Sequence, residues 1–403
     1  MRGYTAGLIL LAAAVLILQP CVGQEPRKPS PDREPYKDAR KHHRGYFGAG
    51  RDDPEPDLKS LHAVVLGYFG PSDPGHPDGG PAWLGTNLAI DEANASGGYK
   101  GLPFRLSPVW AENPWADGAA KLTRVAYLER AWAIIGSIDG ASTHLAETIV
   151  AKAHLTQIDP GSTDETVNQA NVPWMFSCLP GDRPIAAALG GTLLDRAGSS
   201  FLLLTATDHD SRALTSEFKS FLSARRVTVK QQLEFPAGTE QTSGLASQAV
   251  ASGARAVVVL AGARDSARLI RDLRRRDPGL VLLAGPSACR RAFLAEAGTA
   301  AEGVIVPVTV ETSPLTAAFI EKFQPLYGFE PDYAATAAYD AASLLIAAIR
   351  KSGLNRVRIR DAVEDLSPWR GASGTIDWDP LGRNARPVRL GVIRGGGIAP
   401  LGD

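Results

Sequence analysis

From residue 62 onward, short β-branched or leucine-rich runs alternate with stretches whose apolar residues recur at helical spacing, and no other feature of the chain restricts its fold as much. Parallel strands cannot be joined by a tight turn. They need a long crossover, usually a helix, so repeated strand–helix–strand order points to open parallel sheets covered by helices on both faces. The first series predicts strands at 63–67, 104–110, 132–138 and 155–158, with helices at 81–94, 117–130 and 142–153. A second series begins at Phe201-Leu202-Leu203-Leu204. It predicts helices at 211–225, 242–252, 265–276 and 290–297, alternating with strands at 227–233, 256–260, 281–283 and 304–308. The last third starts no third series; its helices at 315–327 and 333–352, a short helix, and strands at 375–378 and 388–393 return to the earlier units. The expected architecture is α/β: two lobes with open sheets of similar size, 61–178 plus 312–385 and 179–311 plus 386–403. Three chain crossings, near 177–182, 308–312 and 386–388, would hinge the lobes over a central ligand cleft.

The start of the chain is of another kind. Residues 1–23 carry one Arg and then an apolar run from Leu8 to Leu18, too short to span a bilayer comfortably, with small residues around Cys21-Val22-Gly23. This is the pattern of a signal peptide, with lipid attachment at Cys21 as the alternative. Residues 24–60 hold 17 charged residues and 6 prolines among 37, and are expected to form a disordered linker, because they lack the apolar surface that would offset ordering entropy. Basic and acidic residues balance at 43 each, which removes the electrostatic case for a nucleic-acid partner. Once a signal is removed, only Cys178 and Cys289 remain, without metal-ligand spacing, so two separate buried thiols are expected. Phosphate-binding loop, zinc-binding His pair and glycine-rich dinucleotide turn are all missing from the sequence, which gives no grounds for an enzyme, a cofactor or a metal.

In open sheets the ligand sits beyond the carboxyl ends of the strands, which makes the strand-to-helix junctions the informative positions. Ile138-Asp139-Gly140-Ala141-Ser142-Thr143 and Pro160-Gly161-Ser162-Thr163 each combine a glycine, hydroxyls and the free N–H groups of a helix start, a setting that favours an anion. Ser142, Thr143, Gly161, Ser162 and Thr163 are therefore candidates for gripping a carboxylate; the plainer reading makes Ser142 and Thr163 caps of their own helices. At Thr207-Asp208-His209-Asp210-Ser211, His209 and Asp210 are candidates, Asp210 as the partner of a ligand ammonium group. Gly285-Pro286-Ser287-Ala288-Cys289 stands where a nucleophile elbow would, yet ends in Cys where that motif needs Gly, so Ser287 is read as a neutral hydrogen-bonding group. Tyr68, Trp83 and Tyr333 adjoin Gly- or Pro-rich turns and are candidates for an apolar wall.

The order of G-Y-F-G-P, A-I-D-E-A-N-A-S-G-G-Y-K-G, I-I-G-S-I-D-G-A-S-T, D-P-G-S-T, A-G-P-S and A-A-T-A-A-Y-D-A-A resembles the leucine/isoleucine/valine-binding protein family, over 61–403. The resemblance implies the type I periplasmic binding protein fold, with two Rossmann-like lobes. It also implies a monomer, periplasmic or secreted, that closes on a small polar ligand, an amino acid or similar carboxylate or amide, and hands it to an ABC permease in the inner membrane. A ligand-sensing receptor domain of the same fold, with no transport role, is the alternative. In that family the positions matching Ser142, Gly161 and Thr163 bind the ligand's carboxylate and amine. Two departures shift the expectation away from branched-chain amino acids: Asp210, with His209 beside it, stands where an aromatic usually covers the ligand, and Ser287 stands where an acidic residue usually holds the amine. Either Asp210 replaces that carboxylate from another wall of the cleft, or the ligand has no amine.

Overall fold

The structure, a computed structural model, describes residues 46–401. The expected signal peptide, Cys21 and the first part of the linker, His42 and His43 included, lie outside the described residues. The first sheet is built by β1 (Val64–Phe69), β2 (Phe104–Val109), β3 (Ala133–Ile135), β4 (Thr156–Asp159) and β5 (Met175–Ser177). Between these strands run α1 (Gly80–Ala95), α2 (Ala119–Tyr127), α3 (Gly140–Ala153) and the short α4 (Thr166–Gln169). The strands lie in the order β2-β1-β3-β4-β5 and every pairing is parallel, with Gly67 opposite Ile134 and Ile135 opposite Ile158. β3 is buried on both faces, which is why its residues are uniformly apolar rather than alternating.

After β5 the chain enters a second layer through α5 (Asp182–Ala197), β6 (Phe201–Ala206), α6 (His209–Ala224), β7 (Gln232–Phe235) and α7 (Ser243–Ala251). It continues through β8 (Ala256–Leu260), α8 (Ala263–Arg276), β9 (Val281–Ala284), α9 (Arg291–Ala297) and β10 (Ile305–Pro307). It then returns with α10 (Pro314–Tyr327), α11 (Tyr333–Ser352), α12 (Arg356–Asp365) and the small hairpin β11 (Trp369–Gly371) and β12 (Gly374–Ile376). A last crossing delivers β13 (Leu390–Arg394) and β14 (Gly397–Pro400) to the second sheet, whose order is β14-β13-β10-β9-β8-β6-β7. The protein is thus α/β with two largely parallel sheets.

Two expectations need correction here. The sheets are unequal, five strands against seven, because the C-terminus adds an antiparallel edge pair to the second. The helix α5 was not predicted: Ile185, Ala186, Leu189 and Leu193 keep helical spacing, but Gly190-Gly191 interrupts the run, and only the tertiary structure shows Gly190 lying against the Phe221 ring.

Side chains bind the three crossings to one another. Asn384 Nδ2 donates to the Cys178 carbonyl at 2.7 Å, and the Arg386 guanidinium donates to the carbonyls of Thr309 at 2.8 Å and Ser373 at 2.7 Å.

The linker expectation fails for residues 46–60. Tyr46 is buried, its ring 4.8 Å from both His154 and Trp174. Asn355 Nδ2 donates to the carbonyls of Gly50 at 2.7 Å and Asp53 at 3.0 Å, and Arg51 pairs with Asp361. A segment poor in aliphatic residues is ordered here by one aromatic anchor and by backbone hydrogen bonds that composition does not register. Cys178 and Cys289 are both free and buried. Among the described residues no helix is long and apolar enough to cross a membrane.

Candidate functional site

In each sheet the strand order reverses once, between β1 and β3 and between β6 and β8, and the loops leaving those strands diverge to leave a crevice. The two crevices face each other across a cavity of about 200 Å³. The first lobe lines it with Asp78 ahead of α1, Ile138 and Asp139 after β3, Gly161 and Thr163 after β4, and Tyr333 at the start of α11. The second lobe contributes Asp208, Asp210 and Ser211 after β6, the turn 260–263 after β8, and Gly285, Pro286, Ser287 and Arg290 after β9.

Asp210 departs furthest from expectation. Its carboxylate crosses the cleft and accepts the Gly140 N–H at 2.8 Å, so a residue of the second lobe caps α3 of the first. Asp139 takes the Ser142 N–H of the same helix at 2.8 Å. The helix start that was expected to hold a ligand carboxylate therefore already holds two of the protein's own. Burial, and then the field of Asp139, push the Asp210 carboxyl up to about 7.

Arg290 is the second bridge, and the sequence reading did not single it out. From the loop after β9 its Nε donates to the Tyr333 hydroxyl at 2.8 Å, Nη1 to the Asp78 carbonyl at 2.7 Å and Nη2 to the Ile138 carbonyl at 3.0 Å. A guanidinium carries five N–H groups in a fixed planar fork, so two are not used by these bonds. The signal that could have found it is an arginine three residues after the Gly-Pro-Ser turn, at a strand-to-helix junction.

The eleven candidates divide. Gly161, Thr163, Asp210, Ser287 and Tyr333 line the cavity; Ser142, Thr143, Ser162, His209, Tyr68 and Trp83 do not. The Ser142 hydroxyl is fully buried and turned to Ser137 at 2.5 Å and Asp139 at 2.6 Å, and the Thr143 hydroxyl donates back to the Asp139 carbonyl at 2.7 Å. Both serve their own helix, the outcome the plainer reading described for Ser142. Ser162 is buried and accepts the Asp164 N–H at 3.0 Å, closing a local turn. The Thr163 hydroxyl donates to Asp182 at 2.6 Å, which leaves its lone pairs toward the cavity. Tyr68 and Trp83 pack edge to face at 5.0 Å in the core of the first lobe, because the strand after Gly67 continues inward rather than turning at residue 68. His209 is displaced to the rim by its pairing with Asp164 at 2.7 Å.

Four aspartates, Asp78, Asp139, Asp208 and Asp210, and one arginine line the cavity. Asp208 is held as the cap of α6, accepting from the Ser211 N–H at 3.0 Å and hydroxyl at 2.7 Å. Nothing in this arrangement is a nucleophile paired with a base: Ser287 has no histidine in reach among the cavity residues, and the neighbouring Cys289 thiol is pushed up to about 12 by burial.

An amino acid binding protein from Pseudomonas aeruginosa is 23% identical over 334 residues, covering 80% of this chain and 88% of the relative. The solved leucine-binding protein LivK from Thermotoga maritima superposes with a TM-score of 0.76 at 22% identity, over 84% of this chain and 98% of that one. A solute-binding protein from R. palustris, solved with benzoate, gives a TM-score of 0.75 at 17% identity, over 84% of this chain and 96% of that one. These likenesses establish the fold, the type I two-lobed arrangement. Residues 67–397 match the family described as periplasmic binding protein, and the chain belongs to the periplasmic binding protein family.

Proposed function

We propose that the protein is the exported solute-binding component of an ABC transporter, capturing one amino-acid-like zwitterion by lobe closure and presenting it to a membrane permease. The observation that carries this reading is the charge layout of the cavity, where Asp139, Asp208 and Asp210 favour an ammonium group and the two unused N–H groups of Arg290 favour a carboxylate. Size points the same way. About 200 Å³ is below the roughly 300–1,000 Å³ of drug-sized sites, and fits a ligand of amino-acid dimensions. Relatives named for leucine or amino acids share the fold, but the acidic wall favours a ligand whose ammonium is held by Asp210 in place of the carboxylate missing at Ser287. Membership of the family implies an extracytoplasmic location.

Both lobes contribute to the wall, so a bound molecule ties them together and stabilises the closed form. Titration calorimetry of the purified protein with amino acids, their N-acetyl derivatives and organic acids tests the reading. An amino acid with a free ammonium should bind and its N-acetyl derivative should not. Asp210→Asn keeps an acceptor for the Gly140 N–H but removes the charge, and should weaken binding by about 2 kcal/mol or more, roughly thirtyfold. Binding of organic acids with no response to any amino acid would remove the zwitterion from consideration.

A further inference from the structure

At the rim of the cleft, outside the cavity, three side chains from two lobes converge. His144 stands in the first turns of α3, Asp164 in the turn before α4, and His209 at the start of α6. One oxygen, Asp164 Oδ2, lies 3.2 Å from His144 Nε2 and 2.7 Å from His209 Nε2. One ligand atom from each residue falls within 4.8 Å of the other two. Two imidazole nitrogens are thus directed at a single carboxylate oxygen, a convergence that either N–H donors or one shared cation can satisfy.

The surroundings are those of a metal ligand set. Behind His144, Glu147 places Oε2 3.5 Å from Nδ1, an outer carboxylate of the kind that orients a metal-binding imidazole. The other oxygen, Glu147 Oε1, is buried with no hydrogen-bond partner among the described residues, on a residue only 6% exposed. The Thr166 hydroxyl, 2.7 Å from His144 Nε2 and donating to Asp164 Oδ1 at 2.7 Å, borders the same point. Side-chain atoms about 2.0–2.2 Å from a tetrahedral ion lie roughly 3.3 Å from one another, so shifts of about 1 Å or less would seat one.

We propose that His144, Asp164 and His209 form an inter-lobe binding site for a divalent transition-metal ion of the zinc class, with a fourth position open to water. Two imidazoles and a carboxylate are the donor set that zinc takes, and the set is too rich in nitrogen for magnesium or calcium. His144 and Asp164 belong to the first lobe and His209 to the second, so the ion is held by all three only when the lobes are together. It therefore acts as a clasp that favours closure, and by linkage raises affinity in the cleft. No motif announces it, because the ligands stand at positions 144, 164 and 209 and meet only across the cleft.

The role as a clasp rests on the lobe-closure reading above, whereas the site itself does not, so the metal is titrated first with no organic ligand. The full chain is stripped with chelator and titrated with Zn²⁺ by calorimetry, and with Co²⁺ by visible absorption. The expected result is one Zn²⁺ per chain and the intense d–d bands of four-coordinate cobalt. His209→Gln, at a half-exposed position that should fold normally, should lower affinity by more than the roughly 10–100-fold typical of losing an outer-shell group. Glu147→Gln should lower it within that range. His42→Ala with His43→Ala should change nothing. Absence of stoichiometric binding, or affinity unaltered in His209→Gln, would overturn the site; affinity lost in the His42/His43 variant alone would place the metal elsewhere and overturn it equally. Amino-acid binding measured in chelator then judges the cleft independently of the clasp.

Discussion

Asp159 ends β4 beneath the cavity, fully buried, with Oδ1 accepting the N–H groups of Gly161 at 2.9 Å and Ser162 at 3.1 Å and Oδ2 left without a partner among the described residues. Burial outweighs those donors and pushes its carboxyl up to about 8. An unfolded aspartate titrates near 3.9, so between about pH 4 and pH 8 the folded protein holds a proton that the unfolded chain has released. The resulting stability is complete below about pH 4 and lost as pH rises through about 8, at roughly 1.4 kcal/mol per unit. Asp159→Asn keeps the acceptor and abolishes the titration. Denaturant midpoints at pH 5, 7 and 9 should show the variant gaining on the parent up to about pH 8 and then keeping a constant difference; curves parallel over the whole range would refute the assignment. At this scale the sequence was informative about residue type and poor on direction: Asp210 was recognisable as acidic at a strand end, but its reach to Gly140 across the cleft is a fact of two lobes meeting.

Helix packing shows a second contest of magnitudes. Gly85 of α1 lies against the backbone of α11 at Ala335, and α11 presents buried alanines, among them Ala334, Ala338 and Ala341, that let the two helices approach closely. Replacing Gly85 by Ala gains about 1 kcal/mol of helix propensity. The added methyl, however, would overlap the Ala335 carbonyl oxygen, which is backbone and cannot swing aside. Overpacking of that kind costs about 1–3 kcal/mol, so Gly85→Ala should lower stability by roughly 1 kcal/mol net, read as a lower thermal midpoint. A rise would show that α1 can slide on α11. The helices themselves were legible because their apolar spacing is dictated by the sheet they cover. The exception, α5, had its pattern broken by glycines whose purpose lies in a neighbouring ring.

For the whole molecule, the segment 46–60 ties the start of the described chain to the first lobe at several points at once. Tyr46 fills a site between His154 and Trp174, and Glu55 accepts from the Tyr99 hydroxyl at 3.2 Å. Beginning the chain at Leu61 would uncover the fully buried Trp174 and the carbonyls' donor Asn355. Tyr46→Ala should cost about 3 kcal/mol by analogy with other buried aromatics, and removal of 46–60 at least as much, measured by denaturant unfolding of each variant beside the parent. A loss below about 0.5 kcal/mol would mean that this segment only rests on the surface.

The sequence by itself determined the architecture: alternation at two periods forces parallel sheets with crossover helices, and the placement of strand ends then locates the crevice. It also singled out Gly161, Thr163 and Asp210 in the cavity wall, since glycine, threonine and aspartate at junctions are chosen by local backbone needs that spacing reveals. Which hydroxyls stay free, which carboxylate caps a helix in the other lobe, and which imidazoles gather at the rim were decided only by tertiary structure. Those outcomes depend on distances between residues dozens of positions apart, and a hydrogen bond that is satisfied locally and one that is left open for a ligand look the same in a linear chain.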